Sequence, residues 1–129
     1  MAEFLPFWPK AAMVSKEGAG GGVGAAAALY SRALPTNGFT EVVAQLEVDA
    51  DLLSPGNQLD CVPEVSNDGV NWSAGAGFTR VSAGGTFPAK EVIKITTIAS
   101  FMRFKVSLWD AAPNMSVGAT LQLSGAGRS

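Results

Sequence analysis

Apolar and polar residues alternate with a period of two through most of this chain. In residues 41–49, Val42, Ala44, Leu46 and Val48 fall on one side and Glu41, Gln45, Glu47 and Asp49 on the other. That is the spacing of a strand with one face on a core and one face in water. Residues 101–110 repeat it, with Met102, Phe104, Val106 and Leu108 set against Arg103, Lys105 and Ser107. Residues 116–124 place Val117, Ala119, Leu121 and Leu123 inward and Thr120 and Gln122 outward, and residues 91–98 turn Ile93, Ile95 and Thr97 inward. In residues 58–66, Leu59, Cys61, Pro63 and Val65 share a face; Pro63 has no amide hydrogen and directs this strand to a sheet edge or a bulge. Residues 27–34 form the strand before Glu41, and residues 71–82, with Trp72, Phe78 and Val81 among small side chains, form a short irregular one.

Turn residues separate these runs. Pro35-Thr36-Asn37-Gly38, Leu53-Ser54-Pro55-Gly56-Asn57 and Asn67-Asp68-Gly69 each carry residues that accept the backbone angles of tight turns. No helical stripe competes. The pattern predicts an all-β protein, an antiparallel β-sandwich or jelly roll of about seven to eight strands.

The amino-terminal end breaks the pattern. Phe4, Leu5, Phe7 and Trp8 are punctuated by Pro6 and Pro9, a density of proline that forbids a helix and leaves an extended arm. Its aromatic groups need a cover, which either a neighbouring subunit supplies or the arm finds by folding back as an edge strand on its own domain. Gly18 to Gly24 follows as a loop with almost no side-chain area to bury. The expected organisation is an arm and loop over residues 1–24 and a sandwich over 25–129. A phosphate cradle is not read in the glycines, because Lys16 precedes them and no Gly-Lys-Ser or Gly-Lys-Thr is present.

Composition narrows the function. The chain has 129 residues, a net charge of −2 and 16% charged residues, and its nine Lys and Arg are scattered from Lys10 to Arg128. Such a balance offers no field for nucleic acid. Residues 1–10 do not read as a secretory leader, and no run is apolar for long enough to cross a bilayer, so no membrane partner is expected. The lone Cys61 is read as a buried structural thiol.

With no histidine and no second cysteine, the commonest general base and the usual zinc ligands are missing. The acids available for a glycosidase-like pair, Glu41, Glu47, Asp49, Asp51, Asp60, Glu64 and Asp68, fall on outward positions or in turns. Asp49, Asp51, Asn67 and Asp68 are oxygens of the kind calcium takes, yet without the alternating run that specifies a site, and they are read as turn residues. No enzyme, metal or cofactor is expected. Trp109 shares the outward face of Arg103 and Lys105, a composition enriched in protein interfaces. Trp72, with Asp68 and Asn71, is the alternative: a platform for a glycan.

Ser66-Asn67-Asp68-Gly69-Val70-Asn71-Trp72 resembles the strand–turn–Trp–strand hairpin of small β-sandwich structural proteins of tailed bacteriophages, and that of glycan-binding sandwich domains. It is also similar to the Asp-box of sialidase-type propellers, except that one residue is missing between Asp68 and Gly69 and a single copy is present. The phage resemblance implies a virion protein: a capsid decoration (cement) or other head or tail component, binding capsid or other virion subunits and forming a homo-oligomer, a trimer at a symmetry axis. Its expected contacts are Phe4, Leu5, Phe7 and Trp8 of the arm, together with Arg103 and Trp109. The alternative function is a carbohydrate-binding module.

Overall fold

The computed structural model describes residues 2–16, 26–48, 58–82, 85–109 and 117–129. Within them the alternation produces strands. β4 (Glu41–Val48) buries Val42, Ala44, Leu46 and Val48, and β9 (Phe101–Trp109) buries Met102, Phe104, Val106 and Leu108. Ten strands form among the described residues, and no helix. The others are β1 (Ala2–Lys16), β2 (Ala26–Tyr30), β3 (Leu34–Pro35), β5 (Gln58–Ser66), β6 (Ser73–Ala74), β7 (Val81–Ser82), β8 (Ala89–Ile95) and β10 (Val117–Arg128).

Two antiparallel sheets face each other across the core. One has the order β1-β10-β4-β8, the other β2-β9-β5-β6, with β3 added to β9 and β7 to β5. The first strand therefore lies beside the last, the second beside the last but one, and the pairing continues inward to β5 with its short partners. This is a long hairpin rolled into two sheets, the jelly-roll form of the sandwich. Three of the ten strands are two residues long, which leaves seven longer ones, in line with the alternating runs.

The amino-terminal segment takes the second of its two expected courses. It is an edge strand, not a free arm: β1 runs antiparallel along β10 from Ala2↔Arg128 to Lys16↔Val117, with register shifts on either side of Trp8. Leu5 and Phe7, expected among the partner contacts, are core residues instead. The reason lies in the end of β10. A Cβ on Gly125 would come within 3.2 Å of the Phe7 ring, and a Cβ on Gly127 would overlap the Phe39 ring. β10 thus runs past the expected 116–124 to Arg128, with rings lying against its backbone at Gly125 and Gly127. Phe7 meets Phe104 edge to face at 4.8 Å and 75°, tying the edge of one sheet to the middle of the other. Burying such a side chain contributes about 1.5–3 kcal/mol.

Three further elements differ from the expected ones. The run 27–34 is split, because four residue steps from Tyr30 to Leu34 answer three on β9 from Lys105 to Met102. The extra residue makes a bulge, where Ser31 N donates to Phe104 O at 2.9 Å and Ser31 Oγ accepts from Phe104 N at 2.8 Å. The run 71–82 reduces to β6 and β7, since Gly75 N and Phe78 N bond to the carbonyls of Pro63 and Cys61 between them. β8 begins two residues before the expected strand and ends at Ile95.

Pro63 does not bulge. β5 keeps an unbroken register with β9 from Gln58↔Trp109 to Ser66↔Phe101. The Pro63 carbonyl points away from β9, to the flank held only by β6, β7 and the chain between them. Its nitrogen faces that same flank, where a missing donor costs little. The loop at Gly18 to Gly24, Asp49, Asp51 and the turn Leu53 to Asn57 lie outside the described residues, as do the side chains of Val117, Ala119 and Trp109.

Candidate functional site

Register decides which outward side chains meet. Glu64 on β5 lies directly opposite Arg103 on β9, on the outer face of their sheet. The pair closes at 2.8 Å from Arg103 Nε to Glu64 Oε1, with the Glu64 side chain 11% exposed and that of Arg103 24%. The guanidinium also lies over two rings: Tyr30 at 4.1 Å and Trp72 at 4.2 Å from Cζ to ring centroid. Each is a cation–π contact, and the rings add to the partial enclosure of the ion pair. Arg103 and Trp72, assigned to different candidate sites from the sequence, are therefore parts of one cluster.

The local chain explains both walls. Tyr30 is the last residue before the bulge, and a bulge re-aims side chains; it pairs in register with Lys105 yet lies over Arg103. Trp72 is placed by the hairpin turn. Gly69 has φ +75°, a left-handed conformation that glycine adopts without steric cost. Ser66 Oγ accepts from Gly69 N at 2.8 Å and donates to Asp68 Oδ1 at 2.9 Å. Asp68 Oδ1 also accepts from Val70 N and Asn71 N, both at 2.8 Å, and Asp68 Oδ2 accepts from Asn71 Nδ2 at 2.7 Å. These bonds, the amide of Asn71 first and that of Val70 next, hold the Asp68 carboxyl well below the usual carboxylate range. Asp68 and Asn71, the glycan candidates, are committed to the turn that carries Trp72.

The other candidates are dispersed. Phe4 is 64% exposed, but it lies on the opposite sheet beside Ala126, and Trp8 is half-buried against the core. Trp109 ends β9 opposite Gln58 and Ala26. The expected contact set thus does not form one surface. Tyr30 and Glu64 are the members sequence reasoning missed. The available signal was the position of the chain's one tyrosine, at the end of a small-residue strand, where a lone aromatic has no core neighbour to explain it.

Several of the candidate acids lie among the described residues. Each candidate acid there has a partner: Glu41 faces Lys94 at 3.5 Å, Glu47 Lys90 at 3.9 Å and Asp60 Arg80 in a two-bond pair at 2.8 Å, while Glu64 and Asp68 are engaged as above. Cys61 is buried, and desolvation, with the adjacent Asp60 charge second, pushes its thiol far above the normal range, so it is no nucleophile at neutral pH. A cavity of about 350 Å³ opens between β7 and β8, lined by Leu46, Val81 and Phe87 among others. Its one acid, Glu91, accepts from the amide of Thr79 at 2.6 Å and from its hydroxyl at 3.0 Å. No group of three or more potential metal ligands occurs among the described residues.

No protein family model matches the chain, and no curated protein does. Solved structures do match. A chain in the structure of infectious bursal disease virus, Gt strain, is similar with a TM-score of 0.63 and 12% identity over 98% of this chain. This chain spans 31% of the length of that one, and at such identity the likeness is one of fold. TmCBM61 in complex with β-1,4-galactotriose is similar over 95% of this chain and 86% of its own, with a TM-score of 0.43 and 10% identity. Fold and surface together define a jelly-roll sandwich that carries an arginine between two aromatic walls on one outer face.

Proposed function

We propose that this chain is a non-enzymatic virion structural protein, a capsid decoration (cement) protein of the kind found in tailed bacteriophages, and that it binds the assembled shell through the outer face of the β2-β9-β5-β6 sheet. The observation that carries the reading is the Tyr30–Arg103–Trp72 stack over Glu64. Tyrosine, tryptophan and arginine are the residue types that concentrate binding energy in interfaces. Here they are ordered before any partner arrives, which lowers the entropy cost of association. Tyr30 remains 47% exposed and available for contact. The jelly-roll fold, shared with a chain of a virus structure, is compatible with the role. Stabilisation would follow from mass action, because a protein that binds the assembled shell and not its free parts shifts the equilibrium toward the shell. A homotrimer at a symmetry axis of the particle completes the proposal.

Co-sedimentation of the purified protein with empty shells from the same source tests this. Wild-type protein is expected to pellet with the shells and raise their melting temperature, and Tyr30→Ala to weaken both effects. A wild-type protein that stays in the supernatant defeats the reading.

A second reading, a carbohydrate-binding sandwich module, is favoured by one observation: Trp72 and the exposed Tyr30 share a face with the hydrogen-bonding groups of Arg103 and Glu64. A glycan array separates the two. Saturable sugar binding that disappears in Trp72→Ala supports the module, and silence on the array supports the structural role.

A further inference from the structure

Arg103 is ordered on three sides and open on the fourth. Tyr30 and Trp72 each present a ring to its guanidinium, and its Nε–H is taken by Glu64. A guanidinium carries five N–H donors in one plane. Among the described residues, neither Nη group makes a hydrogen bond, so four in-plane donors remain on a side chain that is 24% exposed. Two parallel N–H groups held in a plane are matched geometrically by the two oxygens of a carboxylate.

The surrounding charge points the same way. Lys105 lies two residues along β9 on the same outer face, directly opposite Tyr30 and Val62, and makes no ion pair among the described residues. The strands of this sheet contribute two acids, Asp60 and Glu64, and these are already paired with Arg80 and Arg103. The face is left with the positive charge of Lys105 beside the open edge of Arg103. A sugar ring stacks on aromatic faces, and one face of Tyr30 and one of Trp72 are occupied by the guanidinium. What the clamp offers between its walls is N–H donors and positive charge.

We propose that the Nη edge of Arg103, walled by Tyr30 and Trp72 and reinforced by Lys105, is a receptor for the carboxylate of an Asp or Glu side chain on the neighbouring protein subunit. This rests on the virion reading for the identity of the partner, while the carboxylate chemistry stands on the geometry of the clamp. The acid enters coplanar with the guanidinium, and the ring edges restrict its approach to that plane.

The test is a titration of the isotopically labelled full chain, followed by the Arg103 Nε–H and Trp72 indole N–H resonances. The probe is a blocked glutamate, N-acetyl-glutamate N-methylamide, with the corresponding blocked glutamine as control. Saturable shifts are expected with the glutamate, with roughly tenfold weaker binding of the glutamine, the loss of a charge-assisted pair. Arg103→Lys keeps a positive charge beside Glu64 and so protects the fold; it is expected to weaken the glutamate by about tenfold through loss of the planar fork. Lys105→Gln should weaken it by about threefold, the size of a partly solvated charge contribution. Absence of saturation, equal response to glutamine, or an unchanged affinity in Arg103→Lys overturns the clamp. Tighter binding of galacturonate than of the blocked glutamate also overturns it, in favour of an acidic sugar. A negative titration removes the clamp whatever the shells do, and failed co-sedimentation alongside a positive titration removes the virion reading alone.

Discussion

The two outer faces of the sandwich carry similar charges and use them differently. On the β1-β10-β4-β8 sheet, Lys94 and Glu41 stand 3.5 Å apart with side chains 64% and 26% exposed, and Lys90 and Glu47 stand 3.9 Å apart. Around them the register places Val43, Gln45, Val92, Ser124 and Ala126, with Phe4 beside Ala126; Val92 and Phe4 are themselves 60% and 64% exposed. On the opposite sheet the Arg103–Glu64 pair lies at 2.8 Å between Tyr30 and Trp72. The difference is one of enclosure. Exposed pairs are screened and contribute little, while a pair shielded by rings gains strength and loses freedom. One face leaves its ion pairs in water; the other encloses its pair between rings.

Glu64→Ala should break this contrast most severely. It leaves a partly enclosed guanidinium without its acid, and a loss of about 2–3 kcal/mol is expected in chemical denaturation. Trp72→Ala removes one wall and one cation–π contact, with an expected loss of about 1–2 kcal/mol and a rise in the mobility of Arg103 by NMR relaxation.

Asp68→Asn is expected to have a smaller, pH-dependent effect, because its carboxylate is exposed. The folded Asp68 pKa is held below its unfolded value, so its contribution is present above the unfolded pKa and declines as pH falls. The stability gap between wild type and Asp68→Asn should therefore be full at pH 7 and narrow below about pH 4. A gap that stays constant across this window would show that the turn does not depend on the carboxylate's charge. At the far end, Lys94→Ala on the exposed sheet should change stability by no more than about 0.5 kcal/mol. A larger loss there would collapse the comparison, since it would give the exposed face an ion pair as effective as the enclosed one.

The pieces of the site were legible in unequal degree. The outward position of Arg103 and the turn at Asp68 follow from alternation and from the Asn-Asp-Gly signal, which are local features. The arm was legible only as an alternative: its prolines exclude a helix, but whether Leu5 and Phe7 lie on their own core depends on Gly125 and Gly127, far along the chain. Tyr30 was passed over because its role comes from a one-residue bulge, and bulges leave no periodic mark. The enclosure of Glu64 leaves no mark in the sequence, because a pattern shows which face a residue takes and not what covers it.

The sequence by itself determined the class of the protein. Period-two alternation and turn chemistry make it all-β, and the inventory holds no histidine. Tertiary structure alone decided that the first strand pairs with the last, and that residues 30, 64, 72 and 103 converge. The physical reason is that alternation acts between neighbours in the chain, whereas strand partners are chosen by how the two faces fill a common core. The Arg103 clamp is a product of that second choice, built from residues brought together only when the long hairpin rolls up.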